Sequence, residues 1–347
     1  MNVLEPELVW VDGRCYRRFG KRESSDHNIS PYVEDDDDLD IEDVEEYDDP
    51  DIEIVSYGSS RFKHTFHVAK AFFPFIIGSK HLMRKKLEAD TKTSIQIPKV
   101  GQDGDIVIIG FHPKGIITAR RRIDMLITAA RRNLDYTHFL SIPLNEGSII
   151  MKYMAFKNDV LKSSEKTSRG VDETIFQIPS KLHITIGMLK LFDDAERERA
   201  TQALDYCKEH IIKPAMEKYG QIHICLEGLS IMNDDPTETK VLYARVIDEN
   251  NSLQEIANEI ANYYASIDLI DRKRENVLLH ITLMNTRYKN KTERGPYETF
   301  DATDILKAHE HTKFADTTLK QIHISQLHTD CNGYYAATAK INLTEGF

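Results

Sequence analysis

The sequence predicts an α+β protein in two folded parts: a small basic module of strands and helices, then a larger body of two related halves. Three observations lead there. A tetrad occurs twice, His183-Ile184-Thr185-Ile186 and His280-Ile281-Thr282-Leu283, each within a strand-like alternation. Each copy is followed by a helical stretch and a similar strand, Gln221-Ile222-His223-Ile224 and Gln321-Ile322-His323-Ile324, with histidine-to-histidine intervals of 40 and 43 residues. Charge also divides sharply along the chain of net charge −11: residues 1–56 hold 5 basic and 19 acidic side chains, residues 57–133 hold 15 and 5. A strongly cationic segment within an acidic protein points to a polyanionic partner.

Residues 1–56 form the first region. Residues 4–17 contain the only tryptophan, Trp10, and read as a short hairpin around Asp12-Gly13. Cut off by a linker, these apolar residues are expected to dock on a partner or on the protein's own body. Between 34 and 53, fourteen of twenty residues are acidic and none is basic. Such a run repels itself and buries nothing, so it is expected to be disordered. It serves as a solvated spacer or as a competitor for the ligand of the basic segment beside it.

Residues 57–133 read as a compact module. A strand is predicted at 62–68, a short helix at 72–77, a loop at Gly78-Ser79-Lys80 and a helix from 81 to about 89. A strand at 93–97, the turn Gly101-Gln102-Asp103-Gly104, a strand at 105–109 and a long helix at 114–132 complete it. This β-α-α-β-β-α order, with Ile76-Ile77-Gly78 opening a basic helix, resembles the eukaryotic-type KH domain. In that family a G-x-x-G loop clamps about four nucleotides of a single strand. The resemblance implies single-stranded RNA or DNA as partner, contacted by Gly78, Ser79, Lys80, His81, Arg84, Lys85 and Lys86. His81 stands where the second glycine belongs. Glycine serves there because backbone without a Cβ approaches phosphate closely. Arg120, Arg121, Arg122, Arg131 and Arg132 add further positive charge.

Residues 134–347 carry the repeat and the chemistry. Side chains alternate faces along a strand, so His183 and Thr185 project together, as do His280 and Thr282. Two imidazoles with adjacent hydroxyls suit in-line attack on a phosphodiester. One histidine takes a proton from the attacking oxygen, the other gives one to the leaving oxygen, and the hydroxyls hold phosphate oxygens. Two lobes would set the motifs face to face across a pseudo-twofold cleft. His223 and His323, on the later strands, are read as structural. A zinc site needs three convergent ligands, which two distant histidines do not supply, so metal-independent chemistry without a cofactor is expected. The four cysteines, Cys15, Cys207, Cys225 and Cys331, form no C-x-x-C and fit reduced thiols. No apolar run is long enough for a bilayer, and Glu5 and Glu7 argue against a signal peptide.

This double H-x-T pattern resembles the bilobal 2H phosphoesterases, which include 2′,5′ RNA ligase-like and cyclic phosphodiesterase proteins. Its pairing with a KH module narrows the likeness to a family of cointegrator-complex subunits. Lys181-Leu182-His183-Ile184-Thr185-Ile186-Gly187-Met188-Leu189, Met232-Asn233-Asp234-Asp235-Pro236, Val241-Leu242-Tyr243-Ala244 and Gly333-Tyr334-Tyr335-Ala336 carry it. That resemblance implies a nuclear protein of transcription coactivation and alkylation-damage repair, in a complex with helicase and ubiquitin-binding subunits. Tyr243, Tyr334 and Tyr335 are candidate base-stacking aromatics, with core or rim packing as the alternative reading of each. The competing functional reading is a non-catalytic adaptor whose H-x-T cleft only binds RNA or a nucleotide.

Overall fold

A computed structural model describes residues 8–11, 14–17, 52–99, 101–102, 104–164, 169–271, 274–289 and 298–343. They fall into two compact units, 1–130 and 131–347. The acidic tract up to position 51 lies outside the described residues. In the first unit, β1 (Leu8–Val11) pairs antiparallel with β2 (Arg14–Arg17), Val11 opposite Arg14. This is the hairpin expected around Asp12-Gly13, a turn that itself lies outside the described residues.

The basic module comprises β3 (Val55–Tyr57), β4 (Arg61–His67), α1 (Phe73–Ile77), α2 (Leu82–Thr91), β5 (Thr93–Gln96), β6 (Asp105–Gly110) and α3 (Pro113–Asn133). Its four-stranded antiparallel sheet has the order β3-β4-β6-β5. The predicted strands and helices all appear, with no end shifted by more than two residues. Strand β3 was not foreseen: its three residues are all exposed, so no alternation announces it, and it begins within the region assigned to the N-terminal segment. The core forms because β6 turns Ile106 and Ile108 inward while α3 presents Ile116, Ala119 and Ile123 on one helical face. Phe72, Phe73, Ile76, Leu87 and Ile95 close it from the α1–α2 side.

The second unit runs β7 (His138–Pro143), α4 (Gly147–Ser164), β8 (His183–Leu189), α5 (Asp194–Cys207), α6 (Lys213–Tyr219), β9 (His223–Ile231), β10 (Val241–Ile247), α7 (Ser252–Ser266), β11 (His280–Asn285), α8 (Thr303–Ala308), β12 (Lys313–Thr318), β13 (Gln321–Cys331) and β14 (Tyr334–Asn342). The helix predicted over 193–219 is interrupted at Lys208–Ile212 by a wider π turn just before Pro214. Proline lacks an N–H to give and crowds the carbonyl four residues back, which a normal α turn does not accommodate.

All eight strands form one antiparallel sheet, β12-β9-β10-β11-β8-β7-β13-β14. It is two four-stranded halves joined edge to edge at the H-x-T strands, where Ile184 lies opposite Ile281. The motifs therefore sit side by side at the centre of one sheet, rather than facing each other from separate lobes. The halves also exchange strands. β9 follows the first H-x-T strand in sequence but lies in the half of the second, and β13 does the reverse. One apolar cluster lies under both halves: Leu140, Ile142, Ile184, Ile281 and Leu283 from the sheet meet Tyr153, Phe156, Ala203, Leu204, Ile256, Ile260 and Tyr264 from α4, α5 and α7. Helices thus cover the face bearing Ile184 and Ile281, and the face bearing the histidines is left to the site.

Candidate active site and nucleic-acid interface

Each H-x-T strand buries its isoleucine and leucine and leaves His and Thr half-buried on the opposite face, as period two requires. Because Ile184 is opposite Ile281 in antiparallel sense, His183 comes beside Thr282 and Thr185 beside His280. The four predicted catalytic residues share one face and one position in the sheet.

The two histidines are held identically. His183 Nδ1 donates to the Lys181 carbonyl at 2.7 Å, and His280 Nδ1 donates to the Leu278 carbonyl at 2.7 Å. A carbonyl only accepts, so each Nδ1 carries the hydrogen and each Nε2 is left as the basic nitrogen. Burial, with the charge of His280 nearby, lowers His183 to about 4 against the opposing pull of the Lys181 carbonyl. His280 is lowered by burial and by Arg274, with the Leu278 carbonyl opposing. At neutral pH both imidazoles are uncharged. A phosphate placed against them would favour the charged form of either.

The surroundings of the two differ. His183 packs against the Phe139 and Tyr335 rings at 5.0 and 5.5 Å, and Lys181 lies over Tyr335 while pairing with Asp330 at 2.7 Å. His280 meets the Tyr243 ring edge-on at 5.1 Å. Tyr243 and Tyr335 thus lie beside the two histidines. Tyr334 is not an exposed stacking surface: it is 7% exposed, and its hydroxyl bonds Ser141 Oγ at 3.1 Å. Ser141 Oγ also bonds Ser325 Oγ at 2.9 Å, so a buried hydroxyl chain underlies the His183 side. Burial pushes the Tyr334 phenol up to about 12 and raises that of Tyr335 as well.

The imitation motif His323-Ile324-Ser325 belongs to this support. His323 is buried beside Tyr334, donates from Nε2 to Gln321 Oε1 at 2.9 Å, and is lowered to about 4 by burial and Lys340. His223 is exposed on β9. Among the described residues no three His, Cys, Asp or Glu side chains converge as a metal site, and no helix is long and apolar enough to cross a membrane. Sequence reasoning missed Ser141, Phe139 and Arg245. The first two look like ordinary strand residues until β7 is known to lie beside β8, and Arg245 gains meaning only from its register opposite His280.

In the basic module Gly78, Ser79, Lys80 and His81 form the loop between α1 and α2. Gly78 has φ +69°, and a Cβ there would come within 2.6 Å of Met83 Cβ. Lys80 and His81 adopt left-handed backbone, φ 48° and 63°. His81 therefore holds a conformation glycine would adopt without strain. Lys80, Lys85 and Lys86 are exposed, whereas Arg84 is half-buried against Glu88 at 3.7 Å. Arg122 pairs with Asp90 at 2.8 Å, and Arg120 pairs with Asp124 and stacks over Phe66. The cationic character facing solvent thus rests more on the lysines than on these arginines.

Residues 136–343 match the AKAP7 2′5′ RNA ligase-like domain family, and residues 63–125 match the KH domain family. The chain is 37% identical over 366 residues to activating signal cointegrator 1 complex subunit 1 of Mus musculus, covering 99% of this chain and 100% of the mouse protein. It is also 30% identical over 155 residues to an uncharacterized protein of Schizosaccharomyces pombe, covering 43% of this chain and 66% of that protein.

Proposed function

Because the chain belongs to the family of activating signal cointegrator 1 complex subunit 1, with a KH domain and a 2′5′ RNA ligase-like domain, we propose that it binds RNA and acts on RNA or nucleotide phosphodiesters. The reaction is metal-independent and rests on the paired histidines. The observation that carries it is the matched restraint of His183 and His280, each with Nδ1–H fixed on the carbonyl two residues earlier. One Nε2 removes a proton from the attacking hydroxyl or water, and the other, protonated, delivers one to the leaving oxygen. Thr185 and Thr282 donate to the non-bridging oxygens, and the KH module binds single-stranded RNA through Lys80, Lys85 and Lys86. By the family resemblance, it works in the nucleus as a subunit of a cointegrator and alkylation-repair complex, beside helicase and ubiquitin-binding subunits.

One observation favours a second reading. Both imidazoles are shifted toward the neutral form, which at neutral pH leaves the free site without the protonated donor that the leaving oxygen needs. Purified protein incubated with end-labelled oligonucleotides and cyclic phosphates separates the readings. Under the catalytic reading His183→Ala and His280→Ala each cost roughly 10²–10⁴ in turnover, and the double variant is far less than multiplicatively worse. Binding that depends on both histidines without product from any linkage favours the adaptor. Turnover unchanged by His183→Ala excludes the mechanism.

A further inference from the structure

The cleft is electrostatically lopsided. On the His183 side, Lys181 is tied to Asp330 at 2.7 Å and lies over the Tyr335 ring. On the His280 side stands Arg245, exposed and directly opposite His280 in the β10–β11 register. Paired residues on neighbouring strands project from the same face with Cβ atoms roughly 5 Å apart. Leu242 and Ala244 are buried, whereas Tyr243 and Arg245 share the other parity, and the Tyr243 ring touches His280. Arg245 therefore belongs to the face of the site. No hydrogen bond or carboxylate partner engages it among the described residues.

A local backbone device gives it room. Leu229 pairs with Ala244 and Leu226 with Val246, leaving Glu227 and Gly228 as a bulge opposite Arg245. Gly228 has φ +70°, and a Cβ there would lie 2.4 Å from Arg245 Nη2 and 2.5 Å from the Glu310 carbonyl. The guanidinium thus rests against bare backbone, in a slot a side chain would fill. Arg274 adds positive charge that already reaches His280.

We propose that Arg245 forms an anion subsite next to His280, which takes a second phosphate one nucleotide from the scissile one. This rests on the reading of the histidine pair as a phosphodiester site and narrows its substrate class. The substrate is an oligonucleotide or a phosphorylated nucleotide end, with its flanking phosphate on the His280 side. Its nucleoside lies on the His183 side, beside the half-buried Tyr335 ring. A planar guanidinium in a fixed slot suits bidentate recognition of phosphate.

The test uses the full chain and three probes: a dinucleoside monophosphate, and the same compound with an added phosphate at its 5′ or its 3′ end. The readout is the ratio of kcat/KM, or of Kd where the probes are only bound, between phosphorylated and plain compounds. One of the two phosphorylated probes should be preferred by roughly tenfold to a hundredfold, the range of a charge-assisted hydrogen-bonded contact. Arg245→Gln should bring that ratio close to one, and Arg245→Lys should keep part of it. The preference should shrink as salt rises. Equal handling of all three probes by the native protein overturns the subsite, as does a ratio that survives Arg245→Gln. Probes handled alike by native protein, His183→Ala and His280→Ala would instead remove the histidine reading itself.

Discussion

Acid should destabilise the second unit through its buried histidines, three of which are shifted far. His138, His183 and His323 each sit at about 4 rather than 6.5, with burial the leading cause in every case. A histidine lowered on folding takes its proton more readily in the unfolded chain. Its stabilising contribution is whole above pH 6.5 and drains away as pH falls toward 4. For a shift from 6.5 to about 4, linkage gives a loss of about 2 kcal/mol per histidine between pH 7 and 5. For half-buried His183 that is an upper figure. Three such losses are comparable with the 5–15 kcal/mol that typically holds a domain folded. Urea unfolding followed by far-UV circular dichroism at pH 7, 6 and 5 reads the total. Replacing His183 by Asn should flatten the pH dependence by up to about 2 kcal/mol across that span. An NMR titration of the His183 ring gives the direct measure. A ring that titrates near 6.5, or a His183→Asn variant as acid-sensitive as the native protein, refutes the reasoning.

The same shifts place the activity profile: kcat/KM for phosphodiester cleavage should be bell-shaped and highest between about pH 4 and 6.5, and an optimum above pH 7.5 would contradict it. His81→Gly should raise stability by about 1 kcal/mol in chemical denaturation, by relieving left-handed backbone at a non-glycine residue; it should also tighten single-stranded RNA binding in a filter or anisotropy assay. Tyr334→Phe should cost about 1–2 kcal/mol, because it removes a hydroxyl from the buried Ser141–Ser325 pair, and should lower turnover through the neighbouring Tyr335. A chain split in the exposed turn at Asp234-Asp235 should leave the second unit unfolded in each fragment unless the two are co-expressed, because each half of its sheet takes strands from both; cooperative unfolding by the C-terminal fragment alone would count against the exchange.

What was legible in the sequence followed from local rules. The alternation in Leu182-His183-Ile184-Thr185-Ile186 fixed which residues share a face, and the buried isoleucines agree. Tyr334 and Tyr335 show where local reading stops: adjacent in sequence, they read alike, yet one is buried on Ser141 and the other lies beside His183. Parity separates them, but which parity faces the site depends on how β14 pairs with β13, and that ladder shifts register between Ser325 and Asp330. Arg245 was hidden for the same reason. Its meaning lies in a strand partner 35 residues away and in a bulge at Gly228, neither of which has a sequence signature.

The exchange of strands between the halves bears on the chemistry as well as on folding. An acid–base pair works only if its two members keep their spacing through the reaction, to within a fraction of an ångström. Two autonomous lobes joined by a linker would leave that spacing to a hinge. Here β9, which follows His183 in the chain, is stitched beside β10 in the His280 half, while β13 is stitched beside β7 in the His183 half. Separating the halves would strain the two connections that cross the seam, from β8 to β9 and from β12 to β13, and open the single apolar cluster beneath them. The paired position at Ile184 and Ile281 is thus a narrow seam in hydrogen-bonding terms, yet the connectivity and the shared core lock it. Rigidity at the histidines comes from the topology, and the two sides of the rim differ: Tyr335 and Lys181 lie on the His183 side, Tyr243 and Arg245 on the His280 side.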